Sequence, residues 1–237
     1  MRKLVVISGG SRGIGLALAH RFAQGGFAVA VSGRDPQSLA LACQSLHVYN
    51  VPIYPFEGDM ADPATITLWA KELQQRTEKL SVVILNAGRF QVGSFLDETW
   101  EDFRGMMALN VEGAYLLAKA LVPRLIAQKE GHVFTIGSIA GLMAHPQSSG
   151  YTISKFAMQG LTKVLRETLK PYGVRVTGVL PGGTLTDSWS GVPVSAERLM
   201  PVEDIAELVW SAHLVSSRSV VEEIVIRPQL GDVLDLG

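Results

Sequence analysis

Short runs of apolar, often β-branched residues alternate along this chain with longer stretches whose apolar positions recur every three to four residues. That alternation predicts strand and helix in turn. Leu4-Val5-Val6-Ile7-Ser8 is the first run, and Leu16, Ala19, Phe22 and Ala23 follow it at helical spacing. The rhythm continues with strands expected over 27–32, 51–56, 81–85, 131–138, 174–180 and 220–226. Helices are expected over 37–46, 63–76, 110–128, 151–170 and 202–213, with Asp62 placed to cap the second of these. Strands that are apolar throughout, each followed by a helix, fit an α/β fold with a parallel sheet covered on both faces.

Composition narrows the class. The 237 residues are 47% hydrophobic with a formal net charge of -1 and no Pro/Ser-rich linker, so a single domain over 1–237 with one large core is expected. This balance excludes a disordered chain and lacks the basic footprint of a nucleic-acid binder. The lone Cys43 has no partner for an internal disulfide, which suits a reducing compartment. The first apolar run ends in glycines too early for a signal-peptide core, and no run approaches the roughly 20 apolar residues of a membrane helix. A cytoplasmic protein without membrane or nucleic-acid partners is the expectation. His20, His47, His132, His145 and His213 show no metal-ligand spacing, so no metal is expected.

Three features carry chemistry. Gly9-Gly10-Ser11-Arg12-Gly13-Ile14-Gly15 lies between the first strand and the first helix, where glycines let backbone approach a pyrophosphate and the helix N-terminus attracts the anion. Tyr151 and Lys155, four apart, share one helix face; a neighbouring ammonium favours phenolate and so lowers the tyrosine pKa toward useful acidity. Ser138 precedes them by thirteen residues at a strand end. Taken singly, Ser138 also reads as a turn residue and Asn110 as a helix cap.

Together with Asp59, Asn86-Ala87-Gly88, Asn110 and Pro181-Gly182, these motifs run in an order that resembles the short-chain dehydrogenase/reductase family over nearly the whole chain. The resemblance implies a Rossmann-type doubly wound sheet of strand order 3-2-1-4-5-6-7, a nicotinamide cofactor, a small-molecule carbonyl or alcohol substrate, and a homodimer or homotetramer. Ser8 replaces the family's commoner threonine and Gly10 its commoner alanine. By the same resemblance Tyr151 gives a proton to the substrate oxygen and Ser138 hydrogen-bonds it. Lys155 lowers the tyrosine pKa and holds the nicotinamide ribose, and Asn110 anchors a relay water. Cofactor contacts are implied at Gly9, Ser11, Arg12, Gly13, Ile14, Gly15, Arg34, Asp59, Asn86, Gly88, Pro181, Gly182 and Thr184, besides Tyr151 and Lys155.

Gly33 stands where NAD-selective members carry an acid, and Arg34 and Arg12 resemble the basic positions of NADP-preferring ones. NADP(H) is therefore expected over NAD(H), with Asp35 as a counter-indication and two unpartnered surface arginines as the plainer alternative. Residues 183–200 are expected to form a mobile substrate lid, whose Leu185, Trp189, Val192, Val194 and Met200 favour a bulky carbonyl compound. Trp189 packed permanently on the domain or at a subunit contact is the alternative, and His145 is read as a structural or solvent-facing residue that could line the pocket. The tail from Val220 to Pro228, with Gly231-Asp232, resembles that of the sepiapterin-reductase-like branch and general carbonyl reductases. An NADPH-dependent ketone or aldehyde reductase follows, with a 3-oxoacyl-carrier-protein reductase or a non-catalytic NADP sensor as alternatives.

Overall fold

The computed structural model describes residues 1–189, 191 and 194–232. Strands β1 (Lys3–Ile7), β2 (Ala28–Gly33), β3 (Ile53–Glu57), β4 (Lys79–Leu85), β5 (Gly131–Ile136), β6 (Val174–Pro181) and β7 (Glu223–Ile226) form one sheet. Its order is β3-β2-β1-β4-β5-β6-β7 and every neighbouring pair is parallel. The chain reverses direction across the sheet between β1 and β4, which opens a crevice at the carboxyl ends of those strands.

Helices α1 (Gly13–Gln24), α2 (Pro36–Leu46), α3 (Pro63–Gln74), α4 (Trp100–Met107), α5 (Gly113–Gln128), α6 (Ser149–Leu169) and α7 (Val202–Leu214) cover the two faces. Successive strand residues point to opposite sides, so β1 divides its side chains. Leu4 and Val6 join Trp69 of α3, Leu117 and Leu121 of α5 and Met158 of α6 in one core layer. Val5 and Ile7 join Phe22 of α1, Leu39 of α2 and Val209 of α7 in the other.

Two sequence expectations need correction. The helix expected from 110 begins at Trp100, where Thr99 Oγ1 accepts the Asp102 N–H, and is interrupted by a π turn over Ala108–Glu112. A π turn inserts residues into the helical phase, so the apolar positions before and after it fall out of one 3.6-residue register. The continuous tract Trp100–Gln128 is also long and apolar enough to cross a membrane by length and composition. Here its apolar side, including Leu117, Leu121 and Leu125, is packed on the sheet.

Candidate active site

The glycine loop owes its shape to backbone requirements. Gly9 (φ 68) and Gly13 (φ 53) are left-handed, a region costly for residues with a Cβ. A Cβ on Gly15 would stand 2.1 Å from the Gly9 carbonyl oxygen. The loop is clamped from β4: Asn86 Nδ2 donates to the carbonyls of Ser8 (2.9 Å) and Gly9 (2.8 Å). Ser8 Oγ accepts from the N–H groups of Asn86 (3.0 Å) and Ala87 (3.1 Å). A Cβ on Gly10 would lie 2.7 Å from Val31 Cγ1, which explains why glycine accompanies Val31 in place of alanine.

Two clefts meet beyond this loop. The larger, about 500 Å³, is lined by Gly9, Ser11, Arg12, Gly13, Ile14, Gly15, Arg34, Asp59, Asn86, Gly88, Tyr151 and Lys155. The smaller, about 190 Å³, is lined by Ser138, Tyr151, His145, Gln147, Trp189 and Asp232, among others. Pro181, Gly182 and Thr184 line this smaller cleft and not the larger one. Tyr151 and Phe90 belong to both walls, and the Phe90 ring meets the Tyr151 ring edge-on at 5.0 Å.

Helix α6 sets the central pair. Its N-cap Ser148 makes no side-chain cap, and Glu98 supplies one instead, its Oε1 accepting the Gly150 N–H at 3.2 Å. Tyr151 follows in the first turn and Lys155 one turn on, with Nζ 5.4 Å from the Tyr151 ring centroid. The predicted juxtaposition is present; the predicted electrostatics is not. Burial pushes the Tyr151 hydroxyl above its ordinary value, with the neighbouring Ser138 hydroxyl pulling the other way. Burial likewise lowers Lys155 to about 8. Desolvation of both groups therefore outweighs their mutual help in the free protein.

Lys155 is 6% exposed and donates to the Ile136 carbonyl at 3.1 Å. An ammonium carries three donors, so two remain without a hydrogen-bond partner among the described residues at this wall of the larger cleft. That buried, part-satisfied cation and the glycine cradle fit a dinucleotide's ribose and pyrophosphate. Ser138 caps a short turn, its Oγ accepting the Ala140 N–H at 3.1 Å, which leaves its own proton to donate toward the Tyr151 oxygen or a carbonyl oxygen bound beside it.

Asn110 lies behind the clefts, fully buried. Its Nδ2 donates to Arg89 O and Ser154 Oγ (both 3.0 Å), and its Oδ1 accepts the Arg89 N–H at 2.8 Å. Its side chain thus ties the Asn86–Arg89 segment to α6, a scaffolding use that the expected water anchor did not include.

Charge at the far end of the larger cleft is resolved. Asp35 Oδ1 accepts the Ser38 N–H at 2.7 Å and caps α2, so this acid faces its own helix. Arg34 is exposed and has no ion-pair partner among the described residues. Arg12 is paired across the cleft with Asp187 at 3.1 Å.

Of the apolar residues expected in the lid, Trp189 lines the smaller cleft. Leu185 is 48% exposed and Met200 is buried at the base of the segment, where its N–H and C=O bond to Gly183 and Leu185. Val194 does not line either cleft, and Val192 lies outside the described residues. His145 is a pocket residue. Sequence reasoning assigned no role to Phe90, Gln147, Asp187 or Asp232. Asp232 pairs with Arg227 through Oδ2, and its Oδ1 is buried without a partner among the described residues. Nothing in a tail sequence reports that the tail folds over the cleft.

Comparison with known proteins agrees with this geometry. Residues 3–194 match the family described as short chain dehydrogenase. A sepiapterin reductase of Chlorobaculum tepidum is 34% identical, over 99% of this chain and all of that one. An alcohol dehydrogenase of the archaeon Thermococcus sibiricus, solved with 5-hydroxy-NADP, superposes with a TM-score of 0.90 at 25% identity, covering 97% of each chain. A metagenomic short-chain oxidoreductase in complex with NADP gives 0.85 at 26% identity, covering 96% of this chain and 97% of that one.

Proposed function

The chain belongs to the short-chain dehydrogenase/reductase family, and we propose that within it the protein is an NADPH-dependent carbonyl reductase for a bulky ketone on a donor-rich ring, of which a pteridine side-chain ketone is the pattern. Oxidoreduction at CH–OH carbons is the family's chemistry and this chain's. The observation that carries the finer reading is one small cleft lined by Ser138, Tyr151, Trp189 and Asp232 together.

A bound reduced nicotinamide supplies hydride to the carbonyl carbon. Tyr151, a neutral phenol held in place by Phe90 and the capped α6, delivers the proton to the carbonyl oxygen. Ser138, already accepting from Ala140, donates to the same oxygen and fixes it. Lys155 takes the ribose hydroxyls with its two remaining donors and, as a cation, lowers the Tyr151 pKa once the cleft is filled. Arg12 and Arg34 receive the 2′-phosphate, and no acid stands at Gly33 to repel it. The Asp232 carboxylate, on the wall of the smaller cleft, accepts from the N–H edge of the substrate ring, while Trp189 covers its face. The exposed apolar stripe Ile153, Phe156 and Val164 on α6, with Tyr115 on α5, supports assembly as a homo-oligomer over these helices.

The test is NADPH consumption with a panel of a pteridine side-chain ketone, a 3-oxoacyl thioester and a small diketone. The pteridine ketone is expected to lead in kcat/KM. Asp232→Asn should raise its KM about tenfold or more, as for a lost charge-assisted hydrogen bond, and leave the diketone unchanged. A leading 3-oxoacyl thioester would establish the carrier-protein alternative.

A further inference from the structure

We infer that Asp187 tunes the choice of dinucleotide by competing with a 2′-phosphate for Arg12, and that this exchange couples cofactor recognition to the turn carrying Trp189, an inference that rests on the reading of Arg12 and Arg34 given above. Arg12 Nη1 and Asp187 Oδ2, 175 residues apart, meet at 3.1 Å across the larger cleft. Both side chains are about two-thirds exposed, so the pair is solvated and of the weak, exchangeable kind. A phosphate offers the planar guanidinium two parallel charge-assisted bonds in place of one carboxylate contact. A 2′-hydroxyl offers no charge at all, so NAD(H) has no means to displace Asp187. Asp35 is another acid within electrostatic reach of Arg12, and it is committed to capping α2. Asp187 is therefore the anion in direct contact with the arginine.

The turn that carries Asp187 joins the two clefts. Thr186 and Ser188 line both of them, Asp187 lines the larger and Trp189 the smaller. Thr186 also rests on the glycine loop: a Cβ on Gly13 would meet its Cγ2 at 3.2 Å. The Trp189 N–H donates to the Thr186 carbonyl at 3.1 Å, so the indole is tied to the same short turn as the carboxylate. Releasing Asp187 from Arg12 frees one of the attachments of this turn to the loop. Thr186 stays beside Gly13.

Calorimetric dissociation constants test this without turnover. Asp187→Asn should tighten NADPH binding by about three- to tenfold, the loss of a weak competing pair plus a like charge, and leave NADH unchanged. Combining it with Arg12→Ala should give a clearly smaller gain over Arg12→Ala alone, since the competitor then has nothing to hold and only the like charge is removed. Adenosine 2′,5′-bisphosphate, but not adenosine 5′-monophosphate, should speed hydrogen exchange at the Trp189 amide. Equal wild-type affinities for NADPH and NADH would overturn the reading of the arginines. A wild-type preference for NADPH that Asp187→Asn leaves unaltered, or an equal gain for both dinucleotides, would overturn this inference alone.

Discussion

Tyr151 and Lys155 show what a spacing conveys and what it leaves out. Their positions four apart on a helix are legible in the sequence; the balance between burial and charge is not, because it depends on the walls around them. Those walls push Lys155 down to about 8. Its folded value lies below the ordinary 10.5, so in the free protein the ammonium is present below about pH 8 and is lost as pH rises through it. The ammonium offers the cofactor ribose more donors and a full charge, so binding NADPH above that pH favours uptake of a proton. NADPH affinity should consequently fall above about pH 8, by at most about tenfold per pH unit, and Lys155→Met should bind weakly at neutral pH without that slope. Titrations of both proteins from about pH 7 to about pH 9.5 check it, and a flat wild-type profile would contradict the assignment. Residue-level reading also fails at Gly33. Its vacancy of charge is visible, yet a Cβ there would stand 2.9 Å from Ser11 Cβ. Installing an aspartate at 33 would disturb the glycine loop, which makes Arg34 the cleaner position for testing selectivity.

At the scale of elements, strands were legible because each is a short apolar run with a helix after it, and their bounds shift by only a residue or two for most. The helical tract through Asn110 was half hidden, since the π turn that orients Asn110 also breaks the period by which a helix is recognised. The approach of the tail to the substrate cleft was invisible for a different reason: it depends on long-range packing. Burial of polar groups at the opposite end of the sheet was equally hidden. His132 on β5 is fully buried and stacks on Phe134. His213 on α7 lies against the rings of Phe22, Phe27 and Trp210. Burial, then the Arg175 charge, lowers His213 to about 4 and His132 well below its usual value; Lys3 adds to the effect on His213 and Glu130 opposes it. Both folded values lie under the ordinary 6.5, so between pH 6.5 and about 4 the unfolded chain binds more protons than the folded one. Stability present above pH 6.5 is lost as pH falls through that window. Urea midpoints from about pH 7.5 to about pH 4.5 should decline more steeply for the wild type than for His213→Phe, whose ring suits the same aromatic cage; equal slopes would contradict it.

The whole molecule was the most legible scale. Strand order, cofactor crevice and the meeting of Ser138, Tyr151 and Lys155 follow from motifs spread over nearly the full chain, and the sheet β3-β2-β1-β4-β5-β6-β7 agrees with them. The exposed stripe on α6 carries the expectation at this scale that several copies assemble. Phe156, 47% exposed, lies in its middle, so Phe156→Glu should shift the protein toward a monomer in light scattering while a single chain keeps its fold. An unchanged mass would place the interface elsewhere. The central claim is that Tyr151 is the proton donor of an NADPH-dependent ketone reduction, and Tyr151→Phe tests it most directly, with turnover and NADPH affinity measured on the same preparation. Removing the hydroxyl while keeping the ring against Phe90 should lower kcat by about 10²–10⁴-fold and leave the NADPH dissociation constant near its wild-type value. Near-normal turnover in that variant would contradict the account.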